Sequence, residues 1–157
     1  MDTLAAVNDL LNVVGGKLGL DLQLDEARVC ALQYDGDLSC SIEAPTDDSV
    51  VIFHASLLAV TADGREQLLE NALALNLFGR QTSGCFLALD GDRTHLVLCY
   101  TRSIDGLTPD LMEVILGNFL RTAVNVREQL GDSADGATTA DLEFGENERM
   151  RSMYLQV

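Results

Sequence analysis

Two Asp-Gly-Asp triplets, Asp35-Gly36-Asp37 and Asp90-Gly91-Asp92, constrain what this chain can fold into more than any other feature. An Asp-Gly step between apolar runs is a strong hairpin signal, because these residues tolerate the left-handed backbone of tight turns. Residues 28–34 read as the strand entering the first turn. Residues 38–44 leave it with clean alternation: Leu38, Cys40 and Ile42 share one face, while Ser39, Ser41 and Glu43 share the other. That pattern belongs to an antiparallel strand with one solvated face. A turn at Pro45 to Asp48 leads to a third, more apolar strand at 49–57. Around the second triplet, residues 84–89 and 94–100 form another strand pair.

The segments between the hairpins change period. Leu4, Val7, Leu10, Leu11, Val14 and Leu18 recur at three- and four-residue steps, which predicts a helix over 3–18 that stops at Gly19. A short extended linker is expected at Leu20 to Leu24. A second helix is expected from Asp63 to Phe78, with Leu68, Leu69, Ala72, Leu73, Asn76 and Leu77 on its apolar side and Gly79 as its stop. Thr108-Pro109 starts the last helix, since Thr caps free N–H groups and Pro suits the first helical position. Its apolar stripe reads Leu111, Val114, Ile115, Phe119, Val126 and Leu130, and Gly131 is its expected end. The element order is α-β-β-β-α-β-β-(β)-α. Strands in hairpins with intervening helices predict an α+β fold, an antiparallel sheet with helices packed on it. Residues 1–130 form the expected domain. Residues 131–157 read as an acidic, flexible tail: 131–149 are rich in Gly, Asp, Glu, Ala and Thr, and 150–157 regain apolar character at Met153, Tyr154, Leu155 and Val157.

Charge narrows the partners. The net charge is −15, which argues against nucleic acid and anionic membrane surfaces and favours a basic or apolar partner. No stretch has the length and apolarity to span a bilayer, and Met1-Asp2-Thr3-Leu4 lacks the basic start of a signal peptide. The cytoplasm is the expected compartment. Cys30, Cys40, Cys85 and Cys99 form no C-x-x-C pair and read as small buried hydrophobes in a reducing environment.

Catalytic chemistry needs a constellation, and the sequence offers fragments. His54 and His95 both fall within strands, and a Cys–His pair with Cys99 or Cys40 is the one nucleophilic arrangement conceivable. Cys30 and Cys40 can approach across a hairpin but bring no further metal ligands. The Asp-Gly-Asp steps lack the distal Glu of a calcium loop. Gly15-Gly16-Lys17 ends a helix where a phosphate loop would begin one. The expectation is a non-enzyme without metal or cofactor.

The chain resembles the class I type III secretion chaperones, the CesT/Tir-chaperone family, over residues 1 to about 130. The likeness lies in the element order and in local text. Leu68-Leu69-Glu70-Asn71-Ala72-Leu73-Ala74-Leu75-Asn76 looks like the family's second helix, and Gly84-Cys85-Phe86-Leu87-Ala88-Leu89-Asp90 like the strand after it. Leu96-Val97-Leu98-Cys99-Tyr100 and the helix with Leu111, Phe119 and Val126 follow. The resemblance implies a homodimer in the bacterial cytoplasm, joined through the second helix and neighbouring strands. Here that points to Leu69, Leu73, Leu77, Phe78, Phe86 and Leu98. It also implies binding of the N-terminal segment of a secreted effector in extended form, for delivery to the secretion apparatus and its ATPase. Leu11, Val14, Leu32, Tyr34, Ile42 and Phe53 are the candidate effector-binding residues, in an apolar groove and along a free sheet edge. Three other readings stay open: a YbjN-like bacterial adaptor on the same fold, a small Cys/His enzyme, and a scaffold subunit.

Overall fold

A computed structural model describes residues 3–46 and 49–135. The order is α1 (Thr3–Leu18), β1 (Val29–Tyr34), β2 (Leu38–Glu43), β3 (Val50–Ala59), α2 (Arg65–Asn76), a short 3-10 turn (Leu77–Gly79), β4 (Phe86–Leu89), β5 (His95–Ser103) and α3 (Pro109–Asp135). The five strands form one antiparallel sheet in the order β1-β2-β3-β5-β4. Both Asp-Gly-Asp triplets close hairpins, and the α+β fold is as expected. Two strands follow α2; the optional third of the sequence reading is not among the described residues.

Alternation gives the sheet two unlike faces. Cys40, Ile42, Phe53, Ala55 and Leu98 point inward and are buried, packed with Val7, Leu11 and Val14 of α1 and Met112, Leu116 and Phe119 of α3. Phe53 is the centre: its ring lies 6.1 Å from that of Tyr100 and 5.8 Å from that of Phe119. Truncating so enclosed a side chain to Ala costs about 3–5 kcal/mol. The opposite face carries Ser41, Glu43, His54 and Cys99, brought side by side by the register.

Helix ends follow local chemistry. Thr108 Oγ1 accepts the N–H of Leu111 at 3.2 Å, the cap expected from Thr-Pro. At the end of α1, Gly19 takes φ 70° and the N–H of Leu20 returns to the Gly15 carbonyl at 2.9 Å. Gly15 is required there, since a Cβ would stand 2.5 Å from the Leu20 oxygen.

Three boundaries differ from the sequence reading. α2 spans Arg65–Asn76, shorter at both ends, because Gly64 at φ 71° starts it and Phe78 at φ 60° breaks it. Its buried residues are Leu68, Ala72 and Leu75, so Leu75 belongs to the inner stripe and Leu73 and Leu77 do not. α3 runs through Gly131 to Asp135, because one helical Gly costs only about 1 kcal/mol and the buried Leu130 beside it anchors the turn. The true inner stripe of α3 is Met112, Leu116, Phe119, Leu120, Ala123, Val126 and Leu130. Val114 falls outside it and is 56% exposed. The rest of the expected tail, residues 136–157, lies outside the described residues.

Candidate functional site

Two ion-pair clusters frame a groove. Lys17 Nζ donates to Asp110 Oδ1 at 2.6 Å and Glu113 Oε2 at 2.9 Å, tying the end of α1 to the start of α3. Arg127 of α3 donates to Asp37 Oδ1 at 2.8 Å and Asp35 Oδ2 at 3.3 Å, holding the first hairpin tip against the same helix. The groove has a volume of about 530 Å³ and is lined by Leu18, Leu20, Leu32, Tyr34, Val114 and Leu120, among others. Leu18, Leu20, Tyr34 and Val114 are large apolar side chains left exposed. Arg121 and Glu113 supply charge at the rim.

β1 is an edge strand, and its outward backbone borders this groove. Val29 is closed by Asp25, whose Oδ1 accepts its N–H and whose own N–H donates to its carbonyl, both at 2.9 Å. Alternation then turns Ala31 and Gln33 outward as well. Their outward N–H and C=O groups have no partner among the described residues. Two successive open residues offer four hydrogen-bonding groups to an added strand.

A second apolar surface lies on the other side. Leu73 is 70% and Phe78 is 84% exposed, and Leu77 and Phe86 are exposed too. A cleft of about 230 Å³ between α2 and the sheet, lined by Leu69, Leu73, Leu87 and Leu96 among others, continues it.

The two sets of sequence candidates divide by burial. Of the effector-binding set, Leu32 and Tyr34 line the groove, while Leu11, Val14, Ile42 and Phe53 are enclosed in the core. Those four have no surface to offer a ligand, because the helical and strand periods that singled them out are the periods of the core face. Of the self-association set, Leu73, Leu77, Phe78 and Phe86 are exposed, and Leu69 lines the cleft. Leu98 is fully buried, since its place in β5 turns it toward the helices. Leu18, Leu20 and Val114 escaped the sequence reading as groove residues. Leu18 and Val114 were counted in the apolar stripes of the first and last helices and Leu20 in the linker, so periodicity did not separate them from the core.

The histidine chemistry is weak. On the open face of the sheet Ser41 Oγ lies 3.0 Å from His54 Nδ1 and 3.2 Å from its Nε2, and Glu43 Oε1 lies 3.2 Å from the same Nδ1. The Ser41 hydroxyl lies nearer Nδ1, the nitrogen that the Glu43 carboxylate also approaches, whereas a nucleophile–base–acid relay puts acid and nucleophile on different ring nitrogens. Cys99 pairs with His54 across the strands, but burial, then the Glu43 carboxylate, raises its thiol pKa, opposite to what a thiolate nucleophile requires. Cys40 lies on the other face, and burial pushes its thiol up to about 11. Among the described residues no group of three His, Cys, Asp or Glu side chains could hold a metal ion, and no helix is long and apolar enough to cross a membrane.

Several solved structures share this architecture. The ExsC–ExsE complex contains a chain that superposes with a TM-score of 0.70 at 22% identity, covering 83% of this chain and 97% of that one. The heterodimeric ExoU–SpcU complex from the type III secretion system of Pseudomonas aeruginosa matches with a TM-score of 0.60 at 18% identity, covering 81% and 96%. YbjN from E. coli, a putative transcription regulator, matches with a TM-score of 0.59 at 20% identity, covering 81% and 91%. None of the curated proteins compared matches the chain in sequence. The model of the Tir chaperone protein (CesT) family matches residues 9–127, most of the described helices and strands, and the chain belongs to that family.

Proposed function

We propose that this protein is a type III secretion chaperone that holds the N-terminal segment of a secreted effector in extended form and presents it to the secretion apparatus. The carrying observation is the joining of an exposed apolar groove to an open strand edge at Ala31 and Gln33. Main-chain bonds at the edge supply affinity, and Leu18, Leu20, Leu32, Tyr34 and Val114 supply pockets for apolar side chains. Family membership and the likeness to chains from chaperone–effector complexes support the role. Nothing in the site requires a cofactor, and the protein acts by binding, not catalysis. It works as a homodimer in the bacterial cytoplasm, joined through Leu73, Leu77, Phe78 and Phe86, with the secretion ATPase as the downstream partner.

The test is co-purification from the source bacterium with Tyr34→Glu and Val114→Glu variants. Both positions are exposed, so the variants are expected to keep the fold and assembly of the wild type. Loss of a bound effector segment in both is the expected result. Unchanged capture by both overturns the groove assignment. The likeness to YbjN favours a second reading, an adaptor outside secretion; recovery of a folded, non-secreted partner in place of an extended segment would establish it.

A further inference from the structure

The two edges of the sheet are not equivalent. β4 is the other edge strand, and its outward backbone groups belong to Cys85, Leu87 and Leu89, because Phe86, Ala88 and Asp90 face β5. Leu87 is closed on both sides by one side chain. Its N–H donates to Asn76 Oδ1 at 2.8 Å, and Asn76 Nδ2 donates back to its carbonyl at 3.1 Å. Cys85 is closed likewise by Thr82: its N–H donates to the Thr82 carbonyl at 2.9 Å, and the Thr82 hydroxyl donates to its carbonyl. Thr82 is completely buried, so these bonds are shielded from water. Leu89 alone is left, and one residue beside a turn cannot register a strand.

We propose that Asn76 and Thr82 seal the β4 edge, so that the sheet accepts an added strand only at β1. This rests on the strand-addition reading of β1 for its functional meaning, although the seal is tested without it. The seal matters because β4 lies beside Leu73, Leu77, Phe78 and Phe86, all exposed apolar side chains. An open edge there would attract an extended apolar segment more strongly than β1 does. It would also let β1 of one copy pair with β4 of the next, a head-to-tail contact that does not close and grows into fibres. With β4 sealed, each chain takes one extended segment, and copies meet through the side chains of α2, the turn after it and Phe86 instead of backbone pairing. Asn76 and Thr82 are thus specificity-determining residues that contact neither partner through the edge.

Amide exchange on the full-length protein without ligand is the test. Leu87, Ala31 and Gln33 all lie outward on edge strands. Leu87 is expected to exchange about 100-fold more slowly than the other two, and equal rates overturn the seal. Asn76→Ala is expected to bring Leu87 to the rate of Ala31 and to produce concentration-dependent species larger than the wild-type assembly in sedimentation. Asn76→Asp keeps the acceptor for the Leu87 N–H and places a charge on the edge, so its assembly size stays that of wild type. If the Asn76→Ala assembly also keeps that size while folded, the edge is not what Asn76 guards. If Asn76→Ala fails to fold, the wild-type exchange rates still decide. Fast exchange at Leu87 defeats the seal alone; failure of a captured segment to protect Ala31 and Gln33 defeats the β1 reading alone.

Discussion

Phe78 holds a left-handed backbone at φ 60° while 84% of its surface is exposed. For an L-residue that conformation costs roughly 1–2 kcal/mol, and an exposed ring recovers none of it within its own chain. Strain kept at an exposed apolar residue points to a partner surface. Phe78→Gly separates the two roles. Glycine relieves the strain but loses about 0.5–1 kcal/mol of chain entropy, so the isolated chain should stay within about 1 kcal/mol of wild type. The ring offers roughly 150 Å² of apolar surface, worth about 3–4 kcal/mol when fully covered. Taking half of that as covered, and counting it twice for a two-fold interface, gives about 4 kcal/mol, or a roughly 1,000-fold weaker dimer. Sedimentation velocity over a dilution series reads the association constant. Urea unfolding at concentrations where both proteins are monomeric reads the fold. An unchanged association constant would refute the reasoning, as would destabilisation of the monomer by more than about 2 kcal/mol, which makes Phe78 a packing residue.

Gly15→Ala drives a Cβ to 2.5 Å from the Leu20 oxygen and should destabilise the fold by about 1–3 kcal/mol in urea melts, whereas Gly16→Ala, with open space around it, should not. The Asp90 carboxyl is held below the usual carboxylate range by the backbone N–H of His95, then by Thr94. Stability from that depressed pKa is present above the ordinary value near about pH 4 and is lost as pH falls through the folded pKa. The stability gap between wild type and Asp90→Ala should therefore shrink with acidification below pH about 4, and a constant gap contradicts it. Burial pushes the thiols of Cys40 and Cys85 up to about 11, so neither should label quickly with a thiol reagent near neutral pH; a fast phase from either residue would show an opening that the packing does not contain.

Turns and periods made the fold legible. Asp-Gly-Asp at 35–37 and 90–92 located both hairpins, and three- and four-residue spacing located all three helices. Periodicity could not say which apolar residues face a partner, because core and interface share one chemistry. Leu11, Val14, Ile42 and Phe53 satisfied every pattern rule and are core. Val114 was read into the apolar stripe of the last helix and Leu20 into a linker, yet both line the groove. The exposed surface of α2 and the turn after it was legible through the family resemblance, which pointed to Leu73, Leu77 and Phe78. The sealing role of Asn76 was hidden, since its bonds to Leu87 join residues 11 apart across a loop. As an Asn on an otherwise apolar helix side, it was nevertheless the residue out of place.

One extended segment is proposed to bind along β1. Amide exchange of the protein purified with its native bound segment, compared with the segment-free protein, tests it most directly. Strong new protection is expected at Ala31 and Gln33, with Leu87 unchanged. Protection confined to other elements, with Ala31 and Gln33 exchanging as in the free protein, would contradict it.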